Sequence, residues 1–288
     1  MKWDYFLRNF PIPGYSNQLD FLWVKKEKIR ASISIAISLD GIAISLPCLP
    51  FGGFCLEESI SSEALEGFIN AIVEELPKRG VTELSIKTAP KPYYQENDLV
   101  NYLLSKCGFK QKDIQSHHFF LGKRKIKKLV LKERPGFILK VKEAGIKVSY
   151  GPIQNFGFLQ EIKTWNQLRG YSVNLDESRI VQQVSDHPDR YFLITISKNN
   201  EPIGYCLAVK LTSNSIYYYQ SALNPRVSLK NGGELILHEL FQVANEQKVD
   251  FIDLGSSETS TGVNHGLIFF KSRFANDISN KIIWTLTY

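Results

Sequence analysis

The sequence predicts an α/β (α+β) protein made of two tandem units, each a mixed, mostly antiparallel sheet flanked by helices. Three observations support this prediction. The chain has 288 residues, a length that favours two domains. The order hairpin, helix, strand and helix is found once in each half. Matching segments lie a nearly constant distance apart, 168 residues between Leu84 and Ile252 and 165 between Phe109 and Phe274, which indicates an internal duplication.

The first unit begins with two alternating apolar runs within residues 31–47, which meet at Asp40-Gly41, a dipeptide typical of hairpin turns. The pattern then predicts a turn, a helix, a strand, a loop with two tyrosines and a second helix, over residues 50–54, 61–80, 81–89, 90–94 and 97–109. Both helices start at side chains that can accept a hydrogen bond from a backbone N–H, and the candidate N-caps are Ser61 or Ser62 and Asn97 or Asp98.

The second half repeats this order. Its predicted elements are two helices, three strands, a glycine-opened helix, a strand and a closing helix, over residues 155–169, 176–184, 191–223, 231–248, 249–256 and 264–274. Asn-Asn at 199–200 and Ser-Asn at 213–214 mark the turns between the three strands.

The domain boundary is expected in the basic stretch before Arg134, which divides the chain into an N-terminal domain at 1–133 and a C-terminal domain at 134–288. The stretch KRKIKKLVLK at 123–132 has six basic residues and no acidic one. Such a run can bind nucleic acid or phosphate. It can equally be a solvated linker or an edge strand whose charges discourage aggregation.

The composition predicts a globular protein, because 43% of the residues are hydrophobic and 22% are charged. The net charge of +6 suits a donor that carries phosphates, whether a coenzyme or a tRNA. Four cysteines without a C-x-x-C pair are expected to be buried free thiols, at positions 48, 55, 107 and 206. No signal peptide and no membrane span is recognised in the sequence, so a cytoplasmic location is expected.

Hairpin, glycine-opened helix, strand and helix is the core order of the GNAT (Gcn5-related N-acetyltransferase) fold. Two such units in tandem resemble the Fem-type peptidoglycan aminoacyl transferases. The resemblance covers nearly the whole chain and is carried by the segments at 46–54, 85–109, 140–148, 250–257 and 264–274. The most specific of them are the strand that ends in Asp-Leu-Gly-Ser and the helix that bears Phe-Lys.

Two features depart from these families. Classical Fem proteins have a long coiled-coil arm in the second unit, and this sequence has no heptad segment. Single-unit GNAT enzymes have a loop for the coenzyme pyrophosphate, and this sequence has only a degenerate form of it at 226–233.

A phosphate-bearing donor is expected at the start of the glycine-opened helix, since small residues allow close approach and free N–H groups point at an anion. The candidate ligands for such a donor are Asn224, Arg226, Lys230, Gly232 and Gly233. The alternative is a tight turn that binds no ligand.

The resemblance implies that Phe270 and Lys271 support the reaction. A cation at position 271, with backbone N–H groups at 224–226, would stabilise the oxyanion that forms when an amine attacks a thioester or an aminoacyl ester. The alternative is a surface lysine that extends over a core helix.

Asp253 lies at the end of a strand and is the candidate proton acceptor for the attacking amine. Its alternative role is to cap the turn through Ser256 and Ser257. Glu258 and His265, on the loop that follows, are candidates for substrate binding.

Tyr217 and Tyr219 should face one side of their strand and Tyr218 the other. The first two are candidates for stacking on a sugar or peptide acceptor, although aromatic strand residues are more often part of the core. In the first unit, the PFGGF turn at 50–54 with Tyr93 and Tyr94 is expected to help form the acceptor cleft. The adjacent His117 and His118 are expected to be structural.

These features predict an N-acyltransferase that moves an acyl or aminoacyl group to an amine of a cell-envelope precursor or amino sugar. The expected co-substrate is acyl-CoA (acetyl-CoA) or aminoacyl-tRNA, with no tightly bound cofactor and no metal. The expected partners are the acceptor and, for one donor, tRNA; DNA is not expected, and the chain is expected to be a monomer or homodimer. The alternative function is a non-catalytic GNAT-like module that binds a sugar or peptide.

Overall fold

The computed structural model describes residues 14–47, 49–57, 60–132, 135–136, 139, 145–171, 173, 175–259 and 262–288. The chain forms two compact units, one from Met1–His117 with Ser279–Tyr288 and the other from His118–Ile278. The predicted boundary between residues 133 and 134 lies outside the described residues and stays a prediction. No pattern in the sequence indicated that the last ten residues belong to the first unit.

The first unit contains most of the N-terminal half of the chain. Its elements are β1 (Tyr15–Lys25), β2 (Lys28–Ser38), β3 (Ile42–Ser45), β4 (Cys55–Leu56), α1 (Ser62–Glu75), β5 (Glu83–Lys87), α2 (Asn97–Lys106), the start of β6 (Lys110–Leu121) and most of β14 (Asp277–Thr287). Its strands are ordered β1-β2-β3-β5-β14, and β4 pairs with β2. β3 and β5 are parallel, whereas β1, β3 and β4 are antiparallel to β2 and β14 is antiparallel to β5.

The two helices of the first unit begin differently. The Ser61 hydroxyl accepts a hydrogen bond from the Ala64 N–H at 3.3 Å, which confirms the predicted cap of α1. The predicted cap of α2 at Asn97 or Asp98 is wrong: Glu96 holds the N-cap position without a side-chain cap. The Asn97 side chain instead donates to the Ala89 carbonyl oxygen, inside the core.

The PFGGF turn and the two tyrosines predicted for an acceptor site are core residues. Phe51 and Tyr93 are fully buried with ring centroids 4.5 Å apart, and Tyr94 is also buried. The Gly52 N–H donates to the Lys87 carbonyl oxygen at 2.9 Å, which joins the turn to the end of β5. Because these side chains are buried, they hold the first unit together rather than line a surface.

The second unit contains the remaining elements. They are the end of β6, α3 (Lys123–Lys132), β7 (Ile146–Gly151), α4 (Gly157–Leu168), α5 (Glu177–Asp186), β8 (Tyr191–Lys198), β9 (Glu201–Thr212), β10 (Ser215–Leu223), α6 (Gly232–Glu246), β11 (Phe251–Ser256), β12 (Glu258–Thr259), β13 (Gly262–Val263) and α7 (His265–Ser272). Its strands are ordered β11-β10-β9-β8-β7.

The two units share one topological feature. β10 and β11 are parallel, with Ile216 opposite Ile252, and α6 joins them; β3 and β5 are parallel, with Ile44 opposite Ser85, and α1 lies between them in the chain. The neighbouring strands of both sheets are antiparallel. The predicted fold class, two units with mixed, mostly antiparallel sheets, is confirmed.

The basic stretch at 123–132 forms helix α3, so the expectation of a linker or an edge strand is wrong. Ile126 and Val130, four residues apart on one face of the helix, are buried in the core of the second unit. The six basic side chains are exposed. A role of this face in anion binding stays a prediction.

Helices cover both faces of the sheet in the second unit. Phe192, Ile194 and Cys206 point to the face where α6 supplies Leu240 and Phe241. On the opposite face, Trp165 of α4 stacks on Tyr205 of β9 with ring centroids 5.4 Å apart. The sheet is therefore a central layer, and each of its faces can be assigned from the register.

The prediction of buried thiols is confirmed for Cys55 and Cys206. Within the described residues neither of them is in a disulfide; Cys107 is half-buried, and Cys48 lies outside the described residues. His117 and His118 are buried, as expected for structural residues. Within the part of the chain that the structure describes, no helix has both the length and the apolar character needed to cross a bilayer.

The packing of Trp284 on β14 leads to a testable prediction for stability. Trp284 is 3% exposed, and its indole N–H donates to the Asn101 side-chain oxygen at 2.8 Å. Trp284→Ala should lower the free energy of unfolding by about 3–5 kcal/mol, because a large buried side chain leaves a cavity. The control, Ile278→Ala on the same strand, removes a side chain that is 57% exposed and should change it by less than about 0.5 kcal/mol. Equal effects of the two variants in urea titrations would contradict this prediction.

Candidate functional site

The carboxyl end of β11 is shaped by a turn around Gly255. This glycine has φ +73°, a conformation that side-chain-bearing residues rarely adopt. Its N–H donates to Asp253 Oδ1 at 2.7 Å. Asp253 is fully buried and therefore caps this turn at Gly255, rather than at Ser256 and Ser257 as the alternative expectation had it. A role as proton acceptor stays a prediction.

Lys271 reaches this turn from the last full turn of α7. The helix begins at Asn264, whose side-chain oxygen accepts a hydrogen bond from the Leu267 N–H at 2.9 Å. Lys271 is 4% exposed, so the alternative of a surface lysine is wrong. Its Nζ donates to the carbonyl oxygens of Gly255, at 3.2 Å, and Ser256. An ammonium group has three N–H donors, so the third is left for another acceptor.

The environment of Lys271 changes its proton affinity. Burial lowers the pKa of its ammonium group to about 8, because the charged form loses water, and the negative charge of Asp253 opposes this effect. At neutral pH the group is still mostly protonated. Lys271 therefore presents a desolvated positive charge at the end of β11.

Phe270 fixes α7 against the start of α6. A Cβ at Gly233 would lie 3.0 Å from Phe270 Cζ, so the ring occupies the space beside this glycine. Gly232 is enclosed in the same way, because its Cβ would lie 2.7 Å from Leu223 Cδ1 and 2.8 Å from Leu229 Cδ2. Packing within the protein thus accounts for both glycines, a reason that the sequence did not show.

The N-terminus of α6 still has the properties of an anion site. Its first helical bond runs from the Leu235 N–H to the Asn231 oxygen at 3.1 Å, and the Asn231 side chain makes no capping hydrogen bond to the N–H groups of the first turn. Glu234, in the first turn, would repel an anion, but Arg273 pairs with it at 2.7 Å and offsets its charge. Arg226 and Lys230 are exposed nearby in sequence. Phosphate binding by these residues stays a prediction.

The stretch at 224–226 cannot supply the predicted backbone donors. The Asn224 N–H donates to the Ile203 oxygen at 2.9 Å, and the Arg226 N–H donates to the Asn224 side-chain oxygen at 3.0 Å. Pro225 has no N–H. The predicted contribution of this stretch to an oxyanion site is therefore wrong.

The tyrosines of β10 are divided between the two faces as predicted. Tyr218 packs on the core cluster beneath α6. Tyr217 and Tyr219 lie on the other face with ring centroids 6.0 Å apart, and both are half-buried. A Cβ at Gly255 would lie 3.4 Å from the Tyr217 ring, so this tyrosine borders the turn that holds Lys271.

The remaining predicted residues lie on the loop beyond β11. Glu258, in β12, and His265, at the start of α7, are both exposed, and their role in substrate binding stays a prediction. The sequence did not single out Ser257, which is 2% exposed and whose Oγ has no hydrogen-bond partner within the described residues. Nothing in the local pattern distinguishes it from the preceding serine.

The comparisons with known proteins rest on structure alone. No protein-family model matches the sequence, and no curated protein matches it. The structure is similar to that of FemX, with a TM-score of 0.69 and 13% identity over 96% of this chain and 89% of that one. It is also similar to a tandem GNAT protein from the clavulanic acid biosynthesis pathway, with a TM-score of 0.60 and 11% identity over 96% and 85%.

A third solved structure with this fold is L-PGS from Bacillus licheniformis. Its TM-score is 0.54, with 11% identity over 88% of this chain and 80% of that one. At these identities the likeness establishes the fold. The chain has a tandem GNAT fold of the Fem-like type, which confirms the resemblance inferred from the sequence.

The packing around the glycines of α6 gives a prediction for stability. Gly232→Ala should lower the free energy of unfolding by about 1–3 kcal/mol, since the new methyl group overlaps Leu223 and Leu229. The matched control is Gly67→Ala in α1, where nothing lies within 4 Å of the added atom. The free energy of unfolding of this variant should rise by about 0.5–1 kcal/mol, because alanine is a better helix former than glycine. Stabilisation by both substitutions in chemical denaturation would show that the space beside Gly232 is open.

Proposed function

We propose that this protein is an N-acyltransferase that acts in its second unit, with the donor carbonyl beside Lys271. The observation that carries the proposal is the desolvated ammonium group of Lys271, which has one N–H without an acceptor among the residues that the structure describes. A positive charge in a site with little water stabilises a developing oxyanion far more than it would in bulk water. The shared fold with FemX and with the tandem GNAT protein supports the assignment to this class.

The reaction needs a direct attack of the acceptor amine on the donor carbonyl. The new C–N bond forms as the carbonyl oxygen becomes an oxyanion, which the third N–H of Lys271 stabilises. The tetrahedral intermediate then expels the thiolate of an acyl-CoA, or the ribose oxygen of an aminoacyl-tRNA, which takes up a proton from solvent to become a hydroxyl. The amine nitrogen loses its proton to solvent. Asp253 is fully buried, so we assign it a positioning role, in which it holds Gly255 and stabilises the ammonium form of Lys271.

The donor in this proposal carries phosphate groups. The N–H groups in the first turn of α6, which the Asn231 side chain does not cap, support the binding of these phosphates, together with Arg226 and Lys230 in the preceding loop. The exposed basic face of α3 supports a long-range attraction of a polyanionic donor. Both features suit acyl-CoA and aminoacyl-tRNA alike.

The acceptor in this proposal carries an amine and belongs to the cell envelope, as a precursor or an amino sugar. The half-buried rings of Tyr217 and Tyr219 offer a surface on which a sugar or peptide can stack. Tyr217 borders the Gly255 turn, so an acceptor on these rings would place its amine near the carbonyl beside Lys271.

The role of Lys271 is tested by Lys271→Met, which keeps much of the packing and removes the charge. Turnover should fall about 100- to 1,000-fold, as is usual when an oxyanion donor is lost. The control, Lys198→Met, removes an exposed lysine at the end of β8 and should be without effect. Equal turnover of the two variants would remove Lys271 from the mechanism.

The pH dependence gives a second test of Lys271. Its pKa is about 8 in the folded protein, below its ordinary value, so the active ammonium form is present below pH 8 and is lost above it. The wild-type rate should therefore fall as the pH rises through about 8, and the residual rate of Lys271→Met should lack this fall. Because the buried charge destabilises the fold below that pH, wild-type stability relative to Lys271→Met should increase between pH 8 and the ordinary lysine pKa near 10.4.

The donor is identified by ligand-induced stabilisation. Acetyl-CoA at about 100 times its dissociation constant should add about 2.7 kcal/mol to the free energy of unfolding if it is the donor. Aminoacyl-tRNA should give a similar stabilisation if it is the donor instead. The double variant with Lys127→Glu and Lys128→Glu on α3 should then weaken the binding of aminoacyl-tRNA more than the binding of acetyl-CoA. Absence of stabilisation by either ligand would contradict the proposed donor class.

One observation favours a second function, a non-catalytic module that binds a sugar or peptide. Both glycines at the start of α6 are explained by internal packing, so they need not have been selected for a donor phosphate. A module of this kind would bind the acceptor with wild-type affinity after Lys271→Met and would show no transfer with either donor.

A further inference from the structure

The sheet of the second unit has an outer strand without a counterpart in the described part of the first unit. In the second unit, β8 lies two strands from β10, and β7 pairs with the outer edge of β8. In the first unit, β1 lies two strands from β3, so β1 corresponds to β8, and α1 corresponds to α6. Among the residues that the structure describes, no strand pairs with the outer edge of β1. This edge is therefore the position that β7 fills in the other unit.

β7 shows what a strand contributes at this position. Ile146, Val148 and Tyr150, on one face of β7, pack against the core of the second unit. The Tyr150 hydroxyl donates to the Glu246 carboxylate of α6, and the Tyr150 ring lies edge-on to Phe192 of β8 with centroids 6.4 Å apart. The strand thus extends the sheet and fills the angle between β8 and α6 with large side chains.

The corresponding angle of the first unit is an open groove of about 520 Å³ between β1 and α1. Phe21 and Trp23 of β1 line one side, and both rings are only half-buried. Small residues of α1 line the other side, namely Ala64, Gly67 and Ala71. No atom of the described residues lies within 4 Å of a Cβ built on Gly67, so space remains above the helix. The groove is therefore an apolar site that the side chains of an added strand can fill.

The opposite face of the β1–β2 hairpin is also apolar. Leu22, Val24 and Ile29 are 46%, 53% and 45% exposed, and Val24 pairs directly with Ile29. β1 has no inserted residue between positions 17 and 25, since the irregularity in this part of the hairpin lies in β2. These nine residues span about 30 Å. A long, regular edge strand with apolar side chains on both faces is a template for pairing with another strand.

We propose that the edge of β1 is an interface with a second copy of this chain, in which the two β1 strands pair antiparallel about a two-fold axis. An axis perpendicular to the sheet keeps the same face of each strand toward the helices. Phe21 and Trp23 of each copy then face the groove of the other copy. On the opposite face, Leu22 of one copy meets Leu22 of the other. Each copy thus supplies the strand that the other lacks, and this inference does not depend on the proposed function.

The charges along β1 favour a second copy with the axis at Leu22. In this register Asp20 lies opposite Val24 of the other copy, and Lys25 lies opposite Leu19. Like charges directly opposite each other would weaken the pairing, and this register has none. The large apolar side chains of β1 alternate between its two faces, which is the pattern that a strand added at this edge needs.

Sedimentation velocity of the whole protein, from micromolar to millimolar concentration, tests the interface. The wild type should sediment with the mass of two chains at the upper end of this range. Leu22→Lys places two lysines opposite each other at the axis and should raise the dissociation constant of the dimer about tenfold or more. The matched control, Leu39→Lys, makes the same change at a side chain that is 87% exposed in the β2–β3 turn, and it should dimerise as the wild type does. Thermal melting shows whether each variant is folded.

Cysteine cross-linking tests the position of the axis. Leu22→Cys should form a disulfide-linked dimer on mild oxidation, because directly opposite residues of an antiparallel pair have Cβ atoms about 4.5–5.5 Å apart, close to the separation in a disulfide. The control, Leu39→Cys, exposes a thiol far from the axis and should cross-link no more than the wild type does.

A wild type that stays monomeric over the whole range would overturn the proposal. A dimer that Leu22→Lys leaves unchanged would also overturn it, because that dimer would use another surface, and so would equal cross-linking of the two cysteine variants. Lys271→Met should dimerise as the wild type does. The outcome for the interface is therefore separate from the outcome for the proposed function.

Discussion

The burial of the Lys271 ammonium group is the constraint on which the site depends. A desolvated cation is tolerated only where fixed dipoles or charges replace its water, and here the carbonyl oxygens of Gly255 and Ser256 do so, with Asp253 close by. Those carbonyls point at Lys271 because Gly255 takes a left-handed conformation that Asp253 stabilises. The Gly255 turn lies at the end of β11, which pairs in parallel with β10. The fold therefore determines where the positive charge of Lys271 lies.

Much of the fold could be predicted from local sequence patterns. The strands that were not predicted show where such patterns fail. The three strands at 191–223 alternate clearly and are separated by turn residues that match the observed turns. β1 and β14 were not predicted from the sequence. About half of the side chains of β1 are exposed, so its pattern is weak, and β14 pairs with β5, which lies about 200 residues away in the chain. The basic helix α3 was missed because its charge obscures the spacing of Ile126 and Val130.

The residues of the candidate site could be singled out from the sequence, but their contacts could not. Sequence reasoning singled out Lys271, Phe270 and Asp253, since the Phe-Lys and Asp-Leu-Gly segments are distinctive, and their roles in catalysis stay predictions. It could not show that Lys271 is bound by backbone carbonyls, or that Phe270 fills the space beside Gly233, because these contacts join segments from different elements.

The membership of residues 279–288 in the first unit affects how the chain can fold during synthesis. The ribosome must produce all of residues 118–278 before β14 can join β5, so the N-terminal sheet stays incomplete while the C-terminal unit is being made. Until then β5 has an exposed edge, which is open to pairing with other chains. Loss of these ten residues would therefore damage the unit that is farthest from them in sequence, and the nascent protein would depend on chaperones for longer than its size suggests.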